Sequence, residues 1–265
     1  MLKYVIVLTL FVATAGVRAA VPSTQPAAQN IGGVVDAKDG GSVSGIVLFK
    51  GAKPDIKPVS DIAGNAFCKE HHPNGPPPKD TFLFGKNGDK DTVQNVLVYV
   101  SKGISEDKEF EPTKTPVLLD QVGCMYTPHV VAVMVGQTLK VRNSDATLHN
   151  VMSTPRENPP FNFGQSVTGQ TNDLTFKAPE MKLNTKCFMH PWMSAYVHVL
   201  SHPYFAVTGP DGTFTIKGLP PGEYEIGVLH ESSLLHPTPE TIPLKIAAGE
   251  EKKDVNFTYE VKKEE

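Results

Sequence analysis

Residues 187–193 read Cys-Phe-Met-His-Pro-Trp-Met. This short stretch carries a thiol at Cys187, an imidazole at His190 and a thioether at Met193. Thiolate and thioether are soft ligands, and imidazole binds several transition metals. Mononuclear copper sites of one class use two imidazoles and one thiolate as strong ligands, and a Met binds the same metal weakly. The stretch therefore predicts a copper site and requires a second histidine from another part of the chain.

His149 fits the requirement for a second histidine. It follows the run 130–141, in which apolar and polar residues alternate around Leu139 and Val141, as in a half-buried strand entered through a glycine turn. We expect His149 to lie just past the end of a strand, where ligands are commonly presented. The competing interpretation is that the cysteine and methionine are core residues and the histidines are hydrogen-bonded polar groups. Four ligands of suitable type in the appropriate order favour the metal site.

Two motifs resemble those of the cupredoxins, the group that includes plastocyanin, amicyanin and pseudoazurin. Residues 136–143 read Gly-x-Thr-apolar-x-apolar-x-Asn and lead to His149-Asn150-Val151, and residues 187–193 have the Cys-x-x-His-x-x-Met spacing of amicyanin. The resemblance covers roughly residues 95–201 and implies an all-β Greek-key sandwich.

The resemblance also implies a role for each site residue. His149, Cys187 and His190 would be the strong equatorial ligands, and Met193 the axial ligand. Asn150 would join the two ligand loops and support the thiolate by hydrogen bonding. His190 would be the ligand nearest the surface, and Pro191 and Trp192 would form the contact patch for a redox partner.

The C-terminal region contains a second β-rich pattern. Residues 204–226 carry a Pro-Asp-Gly turn and a Pro-Pro-Gly turn between alternating strands, and further strands are expected at 242–246 and 254–259. This pattern resembles the carboxypeptidase regulatory-like module, a small prealbumin-like β-sandwich. Residues 41–49 resemble the opening strand of the same module. Whether the cupredoxin is inserted in this module or precedes it stays open.

The N-terminus predicts export. Lys3, an apolar stretch and Val17-Arg18-Ala19 form a secretory signal over residues 1–19, and the stretch is too short to span a membrane. We therefore expect a periplasmic or secreted protein without an integral membrane segment once the signal is removed. The expected organisation continues with a flexible linker at 20–40, an N-terminal strand and Pro-rich loop region at 41–94, a cupredoxin domain at 95–203 and the second β module at 204–260.

The three cysteines form an odd number for an exported chain. A disulfide between Cys68 and Cys124 would leave Cys187 for the metal, because thiols tend to oxidise outside the cytosol. A competing interpretation uses the same two cysteines differently. Together with the neighbouring histidines at 71, 72 and 129, they could hold zinc or a second copper.

The charge of the chain and the placement of its histidines limit the classes of function that we expect. Removal of residues 1–19 takes away Lys3 and Arg18 and no acids, so the formal net charge moves from −3 to −5 without a basic stripe, and nucleic acid is not an expected partner. The chain lacks the paired His-x-His elements of multicopper oxidases, so we expect no enzymatic activity. The sequence predicts one type 1 copper that shuttles single electrons between a redox protein donor and acceptor. The alternatives are a copper storage or delivery protein and a structural envelope β-domain.

Overall fold

The computed structural model describes residues 39–59, 61–105 and 107–261, and these are nearly all β. The predicted signal and most of the predicted linker lie outside the described residues. The described helical elements are α1 (Ala66–Glu70) and two 3-10 turns at Asp61–Gly64 and Asp80–Phe82. Within the described residues, no helix has the length and apolar character needed to cross a membrane. The all-β expectation is confirmed.

Twenty strands follow one another along the described chain. In order they are β1 (Gly41–Phe49), β2 (Phe84–Asn87), β3 (Lys90–Val93), β4 (Leu97–Lys102), β5 (Val117–Val122), β6 (Met125–Thr127), β7 (Val130–Met134), β8 (Thr138–Asn143), β9 (His149–Ser153), β10 (Phe161–Gln165), β11 (Thr171–Thr175), β12 (Glu180–Lys186), β13 (Ser194–Leu200), β14 (Phe205–Val207), β15 (Thr213–Leu219), β16 (Gly222–Leu229), β17 (Leu235–Thr238), β18 (Thr241–Ile246), β19 (Glu251–Lys252) and β20 (Phe257–Val261).

Strands β5 to β13 form two sheets that share one hydrophobic core. One sheet has the order β10-β9-β12-β13-β7, and the other has the order β11-β8-β5-β6. Leu139 and Val141 on β8 are buried while their neighbours are half-buried, which is the period-two pattern of a strand with one face in a core. Cys187 and Met193 belong to the same core, together with Val151 from β9. We call this unit the ligand sandwich.

The strands on either side of the ligand sandwich in sequence form two further sheets. β1 pairs antiparallel with β15 and parallel with β20, so the strand expected at 41–49 lies beside strands from the far end of the chain. The other sheet has the order β14-β4-β16-β18. Strand β4 lies within the segment 95–203 that the sequence assigned to the cupredoxin, but its hydrogen-bonded neighbours are β14 and β16. We call this flanking unit the second sandwich.

Strand β7 joins the two units because both of its faces are buried. Val131 and Val133 pack in the core of the ligand sandwich, whereas Val130, Ala132 and Met134 pack in a separate cluster with residues of β4 and β14. Successive side chains of a strand point to opposite faces, so one five-residue strand serves two hydrophobic cores.

A buried ion pair also joins the two units. Nε2 of His129 lies 2.7 Å from Oε2 of Glu231, and Nδ1 of His129 donates to the carbonyl of Ser194 at 2.9 Å. Burial lowers the pKa of His129, but Glu231 and the nearby Asp80 carboxylate raise it more, so the net shift is upward. Burial raises the pKa of Glu231, but the contact with His129 lowers it more, so the net shift is downward.

Candidate metal centre

The loop at residues 187–193 connects β12 to β13 in the five-stranded sheet. The N–H of Cys187 donates to the carbonyl of Met193 at 3.2 Å, and the N–H of Met193 donates to the carbonyl of His190 at 2.8 Å. These two hydrogen bonds fold the loop back on itself. Three potential ligands that are close in sequence are thereby held at one end of the ligand sandwich.

His149 reaches the same place from β9. It follows the end of β8 by a short turn and is the first residue of β9, and Met152 of β9 pairs with Lys186 of β12. Nδ1 of His149 lies 3.0 Å from Nδ1 of His190, and Sγ of Cys187 lies 3.7 Å from the latter atom. Ligand atoms of the two histidines and the cysteine all lie within 4.8 Å of one another.

All three of these side chains are inaccessible to solvent. The exposed fraction is 0 % for His149 and 2 % for both Cys187 and His190. Met193, the predicted axial ligand, is fully buried in the core that also contains Cys187. Met189 is 55 % exposed and points away from that core.

Asn150 joins the two ligand-bearing segments by its backbone and its side chain. Its N–H donates to Sγ of Cys187 at 3.3 Å, and its Oδ1 accepts a hydrogen bond from the N–H of Phe188 at 3.3 Å. Its Nδ2 donates to the carbonyl of Phe163 at 3.2 Å. A backbone donor on a sulfur atom stabilises the thiolate, because the charged form gains the stronger hydrogen bond.

Asp145 is a further residue of the site that the sequence analysis missed. Its Oδ2 accepts a hydrogen bond from Nε2 of His149 at 2.8 Å. The carboxylate also accepts hydrogen bonds from the N–H groups of Gly123 and Cys124, at 2.7 and 2.8 Å. Both turn residues have positive φ, 62° and 57°, which is the left-handed region that a two-residue hairpin turn of this kind requires. The carboxylate therefore stabilises a turn with a non-glycine residue at positive φ.

The Asp145 contact also defines the tautomer of His149. Because Nε2 donates to the carboxylate, the neutral imidazole keeps an unprotonated Nδ1 that points at the Cys187 and His190 atoms. A carboxylate four residues before a ligand histidine is visible in the sequence, but the contact depends on the turn that closes residues 143–149. Asn143 shapes that turn by donating from Nδ2 to the carbonyl of Thr147 at 2.9 Å.

The site stabilises charge on the thiolate. Burial raises the pKa of Cys187, but the contacts with the His149 and His190 side chains and the hydrogen bond from the N–H of Asn150 lower it more, so the pKa falls to about 6. Burial lowers the pKa of His149, but Asp145 and Cys187 raise it more, so the net shift is upward. The surroundings therefore favour a deprotonated sulfur, the form that binds metals.

His190, which the resemblance placed nearest the surface, is 2 % exposed and is covered by other side chains. The side-chain amide of Asn65, just before α1, lies against it with Nδ2 at 3.1 Å from Nε2. The ring of Trp192 lies 5.2 Å from the imidazole on another side, and the indole N–H donates to the carbonyl of Cys124 at 3.0 Å. Pro191 is exposed, whereas Trp192 is only partly exposed. No sequence signal connected Asn65 to His190.

Cys68 and Cys124 are joined by a disulfide with a Cα–Cα distance of 5.5 Å. The histidines of the competing Cys/His metal site have other partners. His71 and His72 contact the carbonyls of Phe67 and Gly123, and the histidine at 129 contacts the acid at 231. Cys187 is the free cysteine among the described residues, and it is buried.

The donor set fits a soft or borderline transition metal. Nitrogen atoms of His149 and His190 and the sulfur of Cys187 lie close together in a buried place. The thioether of Met193 lies in the same core. Thiolate and imidazole together suit copper and zinc, and a thioether suits Cu(I). Among the described residues, every group of side chains close enough to hold a metal includes at least one of His149 and His190.

Comparisons with known proteins give partial similarities. No protein-family model matches the chain, and no curated protein matches it. A copper-containing nitrite reductase from Thermus scotoductus SA-01 is 24 % identical over 37 % of this chain and 25 % of its own, with a TM-score of 0.30. The chain thus spans about a quarter of that enzyme.

Two smaller proteins are also similar. A purple cupredoxin from Nitrosopumilus maritimus is 22 % identical over 32 % of this chain and 99 % of its own, with a TM-score of 0.28. An oxidised mutant of amicyanin is 20 % identical over 38 % of this chain and 97 % of its own, with a TM-score of 0.30. The structural neighbours are cupredoxins matched over part of the chain, and the carboxypeptidase regulatory-like resemblance stays a prediction.

Proposed function

We propose that this chain is an exported type 1 copper protein that transfers single electrons between a redox protein donor and acceptor. The observation that carries the proposal is the convergence of Nδ1 of His149, Nδ1 of His190 and Sγ of Cys187 in one buried place. The ligands arise from two segments that are joined by the hydrogen bonds of Asn150.

His149, Cys187 and His190 would hold the copper, and Met193 would supply the weaker axial ligand. A copper ion in such a site gains and loses one electron, and its potential depends on the axial ligand and on the hydrogen bonds around the sulfur. The protein contributes by holding the ligands still. Because Asp145 orients His149 and Asn150 supports the thiolate, the site can keep one arrangement in both oxidation states.

Burial of the ligands supports electron transfer rather than delivery of copper. A delivery protein must expose its ligands so that a recipient can take the metal, whereas His149, Cys187 and His190 are 0–2 % exposed. An electron can pass through a thin protein layer without contact between the metal and the partner. We propose accordingly that the chain has no catalytic activity of its own and binds its partners transiently through small interfaces.

The visible absorption spectrum of the oxidised, copper-loaded protein tests the proposal. A thiolate bound to Cu(II) gives an intense charge-transfer band, so the protein should be blue, green or purple and lose its colour reversibly with a mild reductant. Cys187→Ser should be colourless, and Met189→Ser is the matched control because this side chain is exposed. Wild-type protein with one bound copper and only weak d-d absorption would contradict the type 1 site.

A further inference from the structure

The edge of His190 that faces away from the other ligands is covered by a segment from an earlier part of the chain. This segment, residues 61–72, contains a 3-10 turn, Asn65 and α1. Asn65 contacts Nε2 of His190 at 3.1 Å, and both sulfurs of the disulfide lie within 4.8 Å of a ring nitrogen of the same histidine. We call residues 61–72 the cap.

The cap is fastened to the ligand sandwich at three places. Ile62 and Cys68 are buried in the core of the ligand sandwich. Cys68 is bonded to Cys124, which lies in the tight turn that Asp145 stabilises. Beyond α1, Nε2 of His72 lies 2.7 Å from the carbonyl of Gly123 in the same turn.

Asn65 has two partners, which links the cap's own structure to the ligand. Its Oδ1 accepts a hydrogen bond from the N–H of Cys68 at 3.1 Å and so caps the N-terminus of α1. Its Nδ2 contacts His190. The amide thus lies between the disulfide-bonded helix and the imidazole, and displacement of the helix would remove the contact with His190.

We propose that the cap holds His190 in its ligand position and closes this edge of the site, and that the Cys68–Cys124 disulfide is the fastening on which the closure depends. A helix of only five residues has little stability of its own, so its position depends on tertiary contacts and on the bond. Without the disulfide the cap opens locally and exposes His190. Copper bound at the site then exchanges faster, and this second consequence rests on the proposed function.

Chemical labelling of the metal-free full chain tests the closure without copper. Diethyl pyrocarbonate modifies accessible imidazoles, and peptide mass spectrometry gives a rate for each histidine. In the disulfide-bonded protein, His190 should react at least about tenfold more slowly than the exposed His236. In Cys68→Ser/Cys124→Ser, the rate at His190 should rise at least about tenfold while the rate at buried His149 stays low. An unchanged rate at His190 would overturn the closure.

Asn65→Ser tests the contact when the disulfide is intact. Serine preserves the capping oxygen for the N–H of Cys68, but it has no amide group to reach His190. We expect the labelling rate at His190 to rise at least about threefold, and Asn87→Ser, at the last residue of β2, is the matched control without effect. A rate equal to that of the wild type would show that Asn65 does not hold His190.

Copper extraction separates this inference from the proposed function. A Cu(I) chelator should remove copper from Cys68→Ser/Cys124→Ser at least about tenfold faster than from the wild type. Equal extraction rates would contradict the control of copper exchange by the cap. A wild-type protein without the charge-transfer band would overturn the type 1 copper function, whereas the labelling result on metal-free protein would be unaffected.

Discussion

The carboxylate of Asp145 accepts a hydrogen bond from Nε2 of His149 at 2.8 Å and is itself only 3 % exposed. The same carboxylate accepts two backbone N–H groups, at Gly123 and Cys124. Burial raises the pKa of Asp145, but these contacts lower it more, so the net shift is downward. A buried negative charge therefore lies directly behind the candidate ligand His149 and next to the disulfide.

Asp145→Asn should weaken metal binding and raise the reduction potential. Loss of the carboxylate removes the group that fixes the tautomer of His149, and such changes reduce metal affinity about 10–100-fold. The potential rises because less negative charge remains near the copper to stabilise its oxidised form. Competition titration and protein-film voltammetry measure the two effects. Asp173→Asn, which removes an exposed partner of Lys140, is the control, and equal affinities in the two variants would contradict the role of Asp145.

Met193→Gln should lower the reduction potential while copper stays bound. An axial amide oxygen is a harder ligand than a thioether and stabilises the oxidised metal. Voltammetry and the visible spectrum check this prediction. Met189→Gln changes an exposed side chain four residues away and should leave the potential unchanged. If the potential moved with Met189 and not with Met193, the axial assignment would belong to Met189.

Glu231→Gln should destabilise the protein by about 3–5 kcal/mol near pH 6, because it leaves His129 charged and buried without its partner. Denaturant titration measures the free energy of unfolding. Glu223→Gln is the control, since its ion pair with Lys245 is exposed and contributes within about 1 kcal/mol. A difference below about 1 kcal/mol between the two variants would contradict a structural role for the buried pair.

The same pair predicts a pH dependence. The pKa of Glu231 is lowered by folding, so its stabilising effect is present above about pH 4.3, the unfolded value, and is lost as the pH falls. The pKa of His129 is raised by folding, so its effect is present below about pH 6.5 and is lost as the pH rises through the folded pKa. The difference in unfolding free energy between wild type and Glu231→Gln should therefore be largest between about pH 4.3 and 6.5.

Phe188→Glu should slow electron self-exchange more than Pro191→Glu. Because the cap covers His190, the exposed apolar side chain nearest the thiolate along the chain is Phe188, which is 65 % exposed. A charge there separates two copies of the protein by repulsion, and about a tenfold decrease is expected at low salt. NMR line broadening in mixtures of oxidised and reduced protein gives the rate. A larger effect at Pro191 would contradict this prediction and support the contact patch at Pro191 and Trp192 that the sequence suggested.

The convergence of His149, Cys187 and His190 was predictable because most of the chemistry is local. Cys187, His190 and Met193 lie in one loop, and His149 begins a strand whose approach has a clear alternation. The disulfide was predictable as one of two uses for Cys68 and Cys124, since cysteine count and export favoured it.

The residues behind the ligands were not predictable because they depend on tertiary packing. Asn65 is an ordinary helix-capping residue in the sequence, and the tertiary contacts of the cap, the disulfide among them, bring it to His190. The sheet to which β4 belongs was also not predictable, because a strand with alternating apolar residues can pair in either sandwich. The cover over His190 was not predictable for the same reason, because residues 61–72 carry no sequence signal that links them to the 187–193 loop.

Strand β7 makes the ligand sandwich and the second sandwich physically inseparable. Val131 and Val133 face the core of the ligand sandwich. Their neighbours along the strand face the cluster shared with β4 and β14, and these are Val130, Ala132 and Met134. A truncated protein that retained only residues 117–200 would place this apolar row in water, as a strip along an unpaired sheet edge, where aggregation begins. The half that contains the candidate metal centre therefore cannot be transferred to another protein unchanged. Grafting it onto another protein would first require polar replacements along one side of a single strand.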